Sequence, residues 1–171
     1  MSEAKFDVTI IGAGPGGYVA AVRCAQLGLK TAIVERDSRL GGTCLLRGCI
    51  PTKALLECAH VYDKARESSK YGVITTGVSL DFGAVQGYRE KTVTTNSKGV
   101  QFLMRKNKVE VLSGHGRLAG KGKVSVTAAD GTVKTIESKH VILATGSKCK
   151  DFPGITIDHK QIVNSDDILE I

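Results

Sequence analysis

The first third of the chain alternates short apolar runs with a helical pattern. Residues 6–11 are a β-rich apolar run, which ends in the glycine-rich segment 12–17. A helical stretch follows over residues 18–29, and a second buried apolar run, 31–34, ends in Glu35. Strand, helix and strand within about 30 residues make a βαβ unit. This order predicts an α/β fold built on a parallel sheet.

The middle of the chain predicts two more helices and a strand. Residues 52–69 form an amphipathic helix, and residues 81–107 form a weaker one because Gly83, Gly87 and Gly99 interrupt it. Residues 109–112 then read as a third core strand. The apolar face of the first helix consists of Leu55, Cys58, Ala59, Tyr62 and Ala65.

The pattern changes to strict alternation between Arg117 and Glu137. Because the dipeptide 130–131 is Asp-Gly, this part predicts a hairpin and a small antiparallel insertion. Residues 140–144 return to the composition of a buried strand, and the chain is polar from about Cys149. We therefore expect one domain over residues 1–148 and a connector over 149–171, leading to a nicotinamide-cofactor domain that is absent from this sequence.

Composition narrows the possible partners. The 171 residues include 24 Lys and Arg against 17 Asp and Glu, a formal net charge of +7. These charges are scattered among few aromatic residues, which favours a solvated surface over a nucleic-acid interface. The N-terminus is polar and no apolar run approaches the ~18 residues of a membrane span. We expect a cytoplasmic protein that contacts neither membrane nor nucleic acid.

The glycine-rich segment predicts a dinucleotide site. Gly12, Gly14 and Gly17 have the G-x-G-x-x-G spacing between a strand and a helix, where a pyrophosphate can contact helix N–H groups. Glu35 follows 18 residues after Gly17, at the end of the second strand. There its carboxylate can accept hydrogen bonds from ribose hydroxyls. This pattern alone does not distinguish FAD from NAD.

A second candidate site is the pair Cys44 and Cys49. A zinc site needs a second pair of ligands, and none is present in the sequence, so metal binding is not expected. A disulfide requires Cα atoms about 4.4–6.8 Å apart, whereas positions i and i+5 of an ideal helix are about 8.6 Å apart. A bond between them would require a distorted helix, which Gly48 and Pro51 permit. Lys53 would stabilise a nearby thiolate.

The remaining cysteines and histidines predict no further site. Cys24 and Cys58 fall on apolar helix positions and are expected to be buried thiols, whereas Cys149 is expected to be free. The spacing of His60, His140 and His159 suggests neither a ligand nor a base.

The segment 41–53, Gly-Gly-Thr-Cys-Leu-Leu-Arg-Gly-Cys-Ile-Pro-Thr-Lys, resembles the redox signature of the family that includes dihydrolipoamide dehydrogenase, glutathione reductase and mercuric reductase. Ala144-Thr-Gly-Ser147 is similar to the second FAD segment of that family. The resemblance implies a Rossmann-like FAD-binding domain with the flavin ring beside the disulfide. One departure is Leu46-Arg47, where many members have Asn-Val; it bears on the subfamily more than on the chemistry.

The resemblance also implies roles for individual residues. Cys44 would be the interchange thiol that reacts with substrate, and Cys49 the charge-transfer thiol against the flavin. His115 would act through its main chain near the adenine. The implied cofactor-binding residues are Gly12, Gly14, Pro15, Gly16, Gly17, Glu35, Arg36, Gly42, Thr43, Cys44, Lys53, His115, Gly116, Ala144, Thr145, Gly146 and Ser147.

The implied activity is oxidation of dihydrolipoamide through the disulfide and FAD to NAD⁺. The substrate would be carried by a domain of a 2-oxo acid dehydrogenase or glycine cleavage complex, and the full-length enzyme would be a homodimer. Only one glycine fingerprint occurs. We therefore expect this portion alone not to produce NADH. The alternatives are another dithiol or disulfide reductase of the family, glutathione or mercuric reductase-like, and a non-catalytic flavin-binding redox sensor.

Overall fold

The computed structural model describes residues 5–171; the polar N-terminal residues 1–4 lie outside the described part. Two compact units are present, one of residues 5–46 and 96–148 and the other of 47–95 and 149–171. The predicted boundary at residue 148 stays a prediction. The elements are β1 (Lys5–Ile11), α1 (Pro15–Gln26), β2 (Thr31–Glu35), α2 (Gly42–Arg47), α3 (Cys49–Arg66), a 3-10 helix (Ser68–Tyr71), α4 (Phe82–Lys106), β3 (Glu110–Ser113), β4 (His115–Leu118), β5 (Lys123–Thr127), β6 (Val133–Leu143) and α5 (Ser165–Ile168).

One six-stranded sheet, ordered β3-β2-β1-β6-β5-β4, forms the centre of the first unit. Strands β3, β2, β1 and β6 are parallel, whereas β5 pairs antiparallel with both β6 and β4. A right-twisted parallel sheet needs helical crossovers, and α1 is the crossover between β1 and β2. The α/β fold with an antiparallel addition is therefore confirmed.

Strand β6 differs from the sequence prediction. Its first residues, from Val133, pair antiparallel with β5, and its remainder pairs parallel with β1 up to Leu143 opposite Ile11. Glu137 is opposite Lys123 on one side and Lys5 on the other. The second strand of the hairpin and the strand predicted after it are thus one continuous strand, β6. Its extended chain pairs first with β5 and then with β1 without a turn between them.

Burial agrees with the predicted apolar runs in β1 and β2 but less well in β6. All five residues of β2 are buried. In contrast, His140 is exposed and the side chain of Leu143 is 60% exposed, so the run 140–144 is not the buried strand that its composition indicated. The core cluster of the sheet consists of Phe6, Ile11, Ala32, Val34, Val124, Val126 and Ile136.

Helices α3 and α4 confirm the two predicted helical patterns. On α3 the predicted face is half-buried at Leu55, Cys58, Tyr62 and Ala65, whereas Ala59 is exposed. The buried face of α4 follows spacings of four, four, three and four residues, typical of one helix face. It consists of Arg89, Val93, Ser97, Val100 and Met104.

The two polar residues on that face of α4 are paired. The Ser97 hydroxyl donates to the Leu40 carbonyl at 2.8 Å, and the Arg89 guanidinium donates to both oxygens of Glu170 at 2.8 and 3.2 Å. Buried polar groups are retained when their hydrogen bonds are satisfied. Apolar periodicity alone could not indicate either pair, since each partner is more than 50 residues away in the chain.

Two buried threonines of the sheet provide a test of hydrogen-bond satisfaction. Among the described residues, the Thr9 hydroxyl is buried without a partner, whereas the Thr31 hydroxyl donates to the Leu29 carbonyl at 2.9 Å. We expect Thr9→Val to stabilise the protein by about 1 kcal/mol and Thr31→Val to destabilise it by about 1–2 kcal/mol. Thermal unfolding should show shifts of opposite sign, of about 2–4 °C per kcal/mol. Shifts of the same sign would contradict this reading.

Candidate functional site

The glycine-rich turn lies at the carboxyl ends of three parallel strands, β1, β2 and β6. The Gly12 N–H donates to the Val34 carbonyl of β2 at 2.8 Å, and the Ala144 N–H donates to the Ile11 carbonyl of β1 at 2.9 Å. Open α/β sheets bind ligands in the crevice outside these carboxyl ends. The fold therefore places the sequence-predicted segments 12–17 and 144–147 side by side.

Helix α1 begins in this turn, and the N–H of Gly16 in its first turn has no carbonyl partner inside the helix. Gly14 is the N-cap residue, which provides no side-chain cap, and Pro15 occupies the first helical position. The Gly17 N–H bonds to the Gly14 carbonyl at 2.9 Å, but Gly16 has no carbonyl one turn earlier within the helix. An anion can accept hydrogen bonds at such a helix start.

Gly16 and Gly17 are adjacent in this turn, and the lack of a side chain has a different physical consequence at each position. A Cβ on Gly17 would lie 1.8 Å from the Gly12 carbonyl oxygen, which is backbone and cannot move aside. A Cβ on Gly16 would meet no atom within 4 Å. Gly17 therefore permits close packing of helix on strand, whereas Gly16 leaves the outer surface of the turn bare for a ligand.

Glu35 has a structural role that the motif alone did not reveal. Its buried carboxylate accepts hydrogen bonds from the backbone N–H groups of Ala13 at 2.7 Å, Arg36 at 2.8 Å and Asp37 at 3.0 Å. A carboxylate has about four acceptor positions, so three bonds leave capacity for one ribose hydroxyl. Glu35 thus orders the glycine-rich turn from the end of β2 and remains able to contact a ribose.

A cavity of about 290 Å³ lies along Glu35. Its walls combine apolar residues of β3 and α4 with carboxylate, amide and guanidinium groups, a mixture typical of small-molecule sites. The lining residues are Glu35, Asp37, Ser38, Leu40, Gln101, Met104, Arg105, Val109, Val111 and Ser113. The predicted neighbour Arg36 is exposed, with its Nε 3.8 Å from an Asp37 carboxylate oxygen.

The start of the redox segment is held against the glycine-rich turn. The Gly41 N–H donates to the Ala13 carbonyl at 3.0 Å, and the Leu40 carbonyl is fixed by Ser97. Gly42 has φ +60°, and a Cβ there would lie 2.5 Å from the Gly14 Cα. Only glycine allows these backbones to approach so closely.

Cys44 and Cys49 are both disulfide-bonded, whereas Cys24, Cys58 and Cys149 carry free thiols. Helix α2 ends at Arg47 and α3 begins at Cys49, with Gly48 between them at φ −148° and ψ −111°. The expected helix distortion is therefore confirmed. Cys44 is half-buried and Cys49 is exposed, so the sulfur atoms have unequal access.

Two features near Cys49 would stabilise a thiolate there once the disulfide is reduced. Cys49 is the first residue of an 18-residue helix, where the partial positive charge of the macrodipole stabilises a thiolate. Lys53 lies one turn later, and residues four apart share a helix face. Lys53 and Thr43 are both exposed.

The other predicted cofactor residues lie near the same carboxyl ends of the strands. Thr145, Gly146 and Ser147 follow β6 as an exposed segment in which Gly146 has φ +71°. His115 is exposed in β4 opposite Thr127, and Gly116 has the side chains of Ile11 and Val34 behind it. The main-chain role expected for His115 stays a prediction.

Sequence reasoning missed the partner of His159. Its Nδ1 lies 2.9 Å from both carboxylate oxygens of Asp167, eight residues later. The thiols of Cys24 and Cys58 are half-buried rather than fully buried as expected.

Over residues 5–171, no group of three or more His, Cys, Asp or Glu side chains could hold a metal ion. None of the helices in this range combines the length and the apolar character needed to cross a membrane.

Comparison with known proteins establishes the family. The family model described as pyridine nucleotide-disulphide oxidoreductase matches residues 6–171. The chain therefore belongs to the pyridine nucleotide-disulphide oxidoreductase family, as the redox segment predicted. The crystal structure of LpdA from Mycobacterium tuberculosis covers 98% of this chain with a TM-score of 0.87, and this chain covers 37% of it. At 21% sequence identity, that likeness supports the fold alone.

Curated relatives are more similar in sequence. The chain is 47% identical over 166 residues to mitochondrial dihydrolipoyl dehydrogenase of Dictyostelium discoideum, covering 96% of this chain and 34% of that protein. It is 47% identical over 175 residues to dihydrolipoyl dehydrogenase of Bacillus subtilis (98% and 37%). It is 46% identical over 160 residues to leghemoglobin reductase of Vigna unguiculata (93% and 31%). The chain spans about a third of the length of these relatives.

The two adjacent glycines also provide a matched test of the turn. Gly17→Ala would force backbone apart at the Gly12 carbonyl, so we expect a loss of at least about 3 kcal/mol in the free energy of unfolding. Gly16→Ala places its methyl group in open space within a helix and should change that free energy by less than about 1 kcal/mol. Denaturant unfolding measures both. Equal losses would contradict the packing role assigned to Gly17.

Proposed function

We propose that this chain carries the flavin-binding and dithiol-reacting portion of an FAD-dependent disulfide oxidoreductase of the dihydrolipoamide dehydrogenase type. The observation that carries the proposal is the Cys44–Cys49 disulfide in the break between α2 and α3. Its first cysteine lies two residues after Gly42, the residue that touches the glycine-rich turn. A reactive disulfide is thus tethered close to the predicted dinucleotide site.

The residues present fit FAD. Gly16 gives the bare backbone that a pyrophosphate needs, and the start of α1 offers N–H donors. Glu35 retains acceptor capacity for a ribose hydroxyl. The remaining predicted contacts, including Gly116 and residues 144–147, lie around the same strand ends. When bound, FAD supplies a two-electron acceptor that links dithiol oxidation to reduction of NAD⁺.

The chain's own residues perform the thiol chemistry. A substrate thiolate attacks the Cys44 sulfur, which breaks the Cys44–Cys49 bond, forms a mixed disulfide and releases Cys49 as a thiolate. The second substrate thiol then attacks the substrate sulfur of the mixed disulfide, which releases a cyclic disulfide and leaves Cys44 reduced. The substrate loses two electrons and the protein gains them. The start of α3 and Lys53 stabilise the Cys49 thiolate that this sequence produces.

Residue exposure alone would assign the reaction with substrate to Cys49 rather than to Cys44. Cys49 is the more exposed of the pair, so an external thiol could reach it first. The assignment of Cys44 to substrate and Cys49 to flavin rests on the order of residues in the redox segment. Separate substitution of the two cysteines distinguishes these roles.

The substrate and partners belong to the proposal as well. Relatives of nearly equal identity are named dihydrolipoyl dehydrogenase and leghemoglobin reductase, so the third of their length that this chain matches does not select the final substrate. We propose dihydrolipoamide on a carrier domain of a 2-oxo acid dehydrogenase or glycine cleavage complex, with NAD⁺ as acceptor. A homodimer and a cytoplasmic location complete the proposal.

Absorbance of the FAD-loaded protein tests these roles. Wild-type protein treated anaerobically with dihydrolipoamide should develop a long-wavelength band from a Cys49 thiolate beside the flavin. Cys44→Ser should show the band without dithiol because Cys49 is then a free thiolate, and Cys49→Ser should never show it. Cys58→Ser, which changes a free thiol of α3, should behave as wild type.

Three outcomes would contradict the proposal. Failure of the protein to bind FAD would remove its basis. Flavin binding without the band would favour a non-catalytic redox sensor. A band in Cys49→Ser but not in Cys44→Ser would exchange the roles of the two cysteines.

A further inference from the structure

Arg47 is the last residue of α2 and lies between the two bonded cysteines in the chain. Cys44 precedes it by three residues in the same helix, a spacing that places Cβ atoms about 5–6 Å apart. Cys49 follows it by two residues, so their Cα atoms are at most about 7.6 Å apart. Both spacings are shorter than the screening length of about 8 Å at physiological salt. The Arg47 side chain therefore starts between the two bonded cysteines and within electrostatic range of both.

A carboxylate of α5 lies beside the Arg47 guanidinium. The Nε of Arg47 lies 3.9 Å from a carboxylate oxygen of Asp166, in the first turn of α5. The Arg47 side chain is 33% exposed and that of Asp166 is 43% exposed. Such a long, partly exposed ion pair adds little to stability. Its electrostatic effect on a neighbouring thiolate is a separate matter.

Asp166 is held in position by a hydrogen-bonded network. The Asn164 side chain accepts hydrogen bonds from the N–H groups of Asp166 at 2.9 Å and Asp167 at 3.1 Å. The Asp167 carboxylate accepts from the Asn164 N–H at 2.9 Å and faces His159. Acceptance of the Asn164 N–H, with a further contribution from His159, lowers the pKa of Asp167, which keeps this capping box ionised near neutral pH. The backbone of Asp166 is therefore held in place at the start of α5, and its carboxylate faces Arg47.

We infer that Arg47 biases the Cys44–Cys49 couple toward its reduced form and that Asp166 weakens this bias by partly neutralising Arg47. The inference rests on the proposed function, because it treats Cys44–Cys49 as the working redox couple. Reduction creates thiolate character, which a nearby guanidinium stabilises and a carboxylate destabilises. A stabilised reduced form makes a disulfide more oxidising. Arg47 and Asp166 would thus set the equilibrium position of the couple.

The test measures the disulfide equilibrium itself. The protein is equilibrated with glutathione buffers at pH 7.5, quenched and scored for free Cys44 and Cys49 by alkylation and mass. In this exchange two glutathione thiols give one glutathione disulfide and the protein disulfide gains their two electrons, while each released proton goes to a protein thiol or, where a thiolate forms, to the buffer. The readout needs neither turnover nor a nicotinamide cofactor.

The expected shifts have opposite signs. Arg47→Gln should move the equilibrium about two- to fivefold toward the disulfide, because the stabilising charge is lost. Asp166→Asn should move it about twofold toward the dithiol, because Arg47 is no longer partly neutralised. Arg47→Lys keeps the charge and should remain close to wild type. The exposed pair Lys70 and Glu67, 2.6 Å apart in the 3-10 helix region, supplies the controls Lys70→Gln and Glu67→Gln, which should change nothing.

A purely structural role gives a different pattern. Arg47→Gln and Asp166→Asn both break the same ion pair, so loosening of the segment would shift both variants in the same direction. That result, or the absence of any shift, would overturn the inference while leaving the proposed function intact. If the wild-type disulfide itself resists reduction by glutathione and dihydrolipoamide, the proposed function fails instead.

Discussion

Direct backbone contact between α1 and the end of β1 is the constraint on which the site depends. Gly17 packs on the Gly12 carbonyl with no side chain between them, and Gly12 is bonded in turn to β2 through Val34. This contact fixes where the helix begins relative to the strand ends. The start of the helix, the carboxylate of Glu35 and the backbone of Gly42 all meet at this turn.

Much of the fold could be predicted from local sequence because its signals are local. The alternation of apolar runs and glycines was sufficient for β1, α1 and β2, and the spacing of Gly12, Gly14 and Gly17 located the turn. The disulfide could be anticipated because segment 41–53 resembles a known redox signature, while the five-residue spacing required the helix to be distorted near Gly48. In each case the physical cause lies within one turn or strand.

What could not be predicted depends on residues distant in sequence. The Glu35 carboxylate orders Ala13, 22 residues earlier, and the Ser97 hydroxyl holds Leu40, 57 residues earlier. Neither pairing leaves a periodic signal in the chain. His159 looked isolated for a related reason, since its contact with Asp167 depends on an irregular segment in which His159 itself adopts φ +58°. Which polar groups pair in this way is determined by the tertiary structure rather than by the local conformational preferences of the residues.

The continuity of β6 has a consequence for how the sheet assembles. Its antiparallel neighbour β5 is joined to it by a short turn, whereas its parallel neighbour β1 is more than 100 residues away in the chain. The entropy of closing a loop rises with its length, and pairings between distant segments form slowly. The β5–β6 hairpin can therefore form first. Strand β6 is then already extended and in register with β5 before it pairs with β1. On this view the antiparallel strands serve as a folding template for the parallel strand that completes the cofactor crevice.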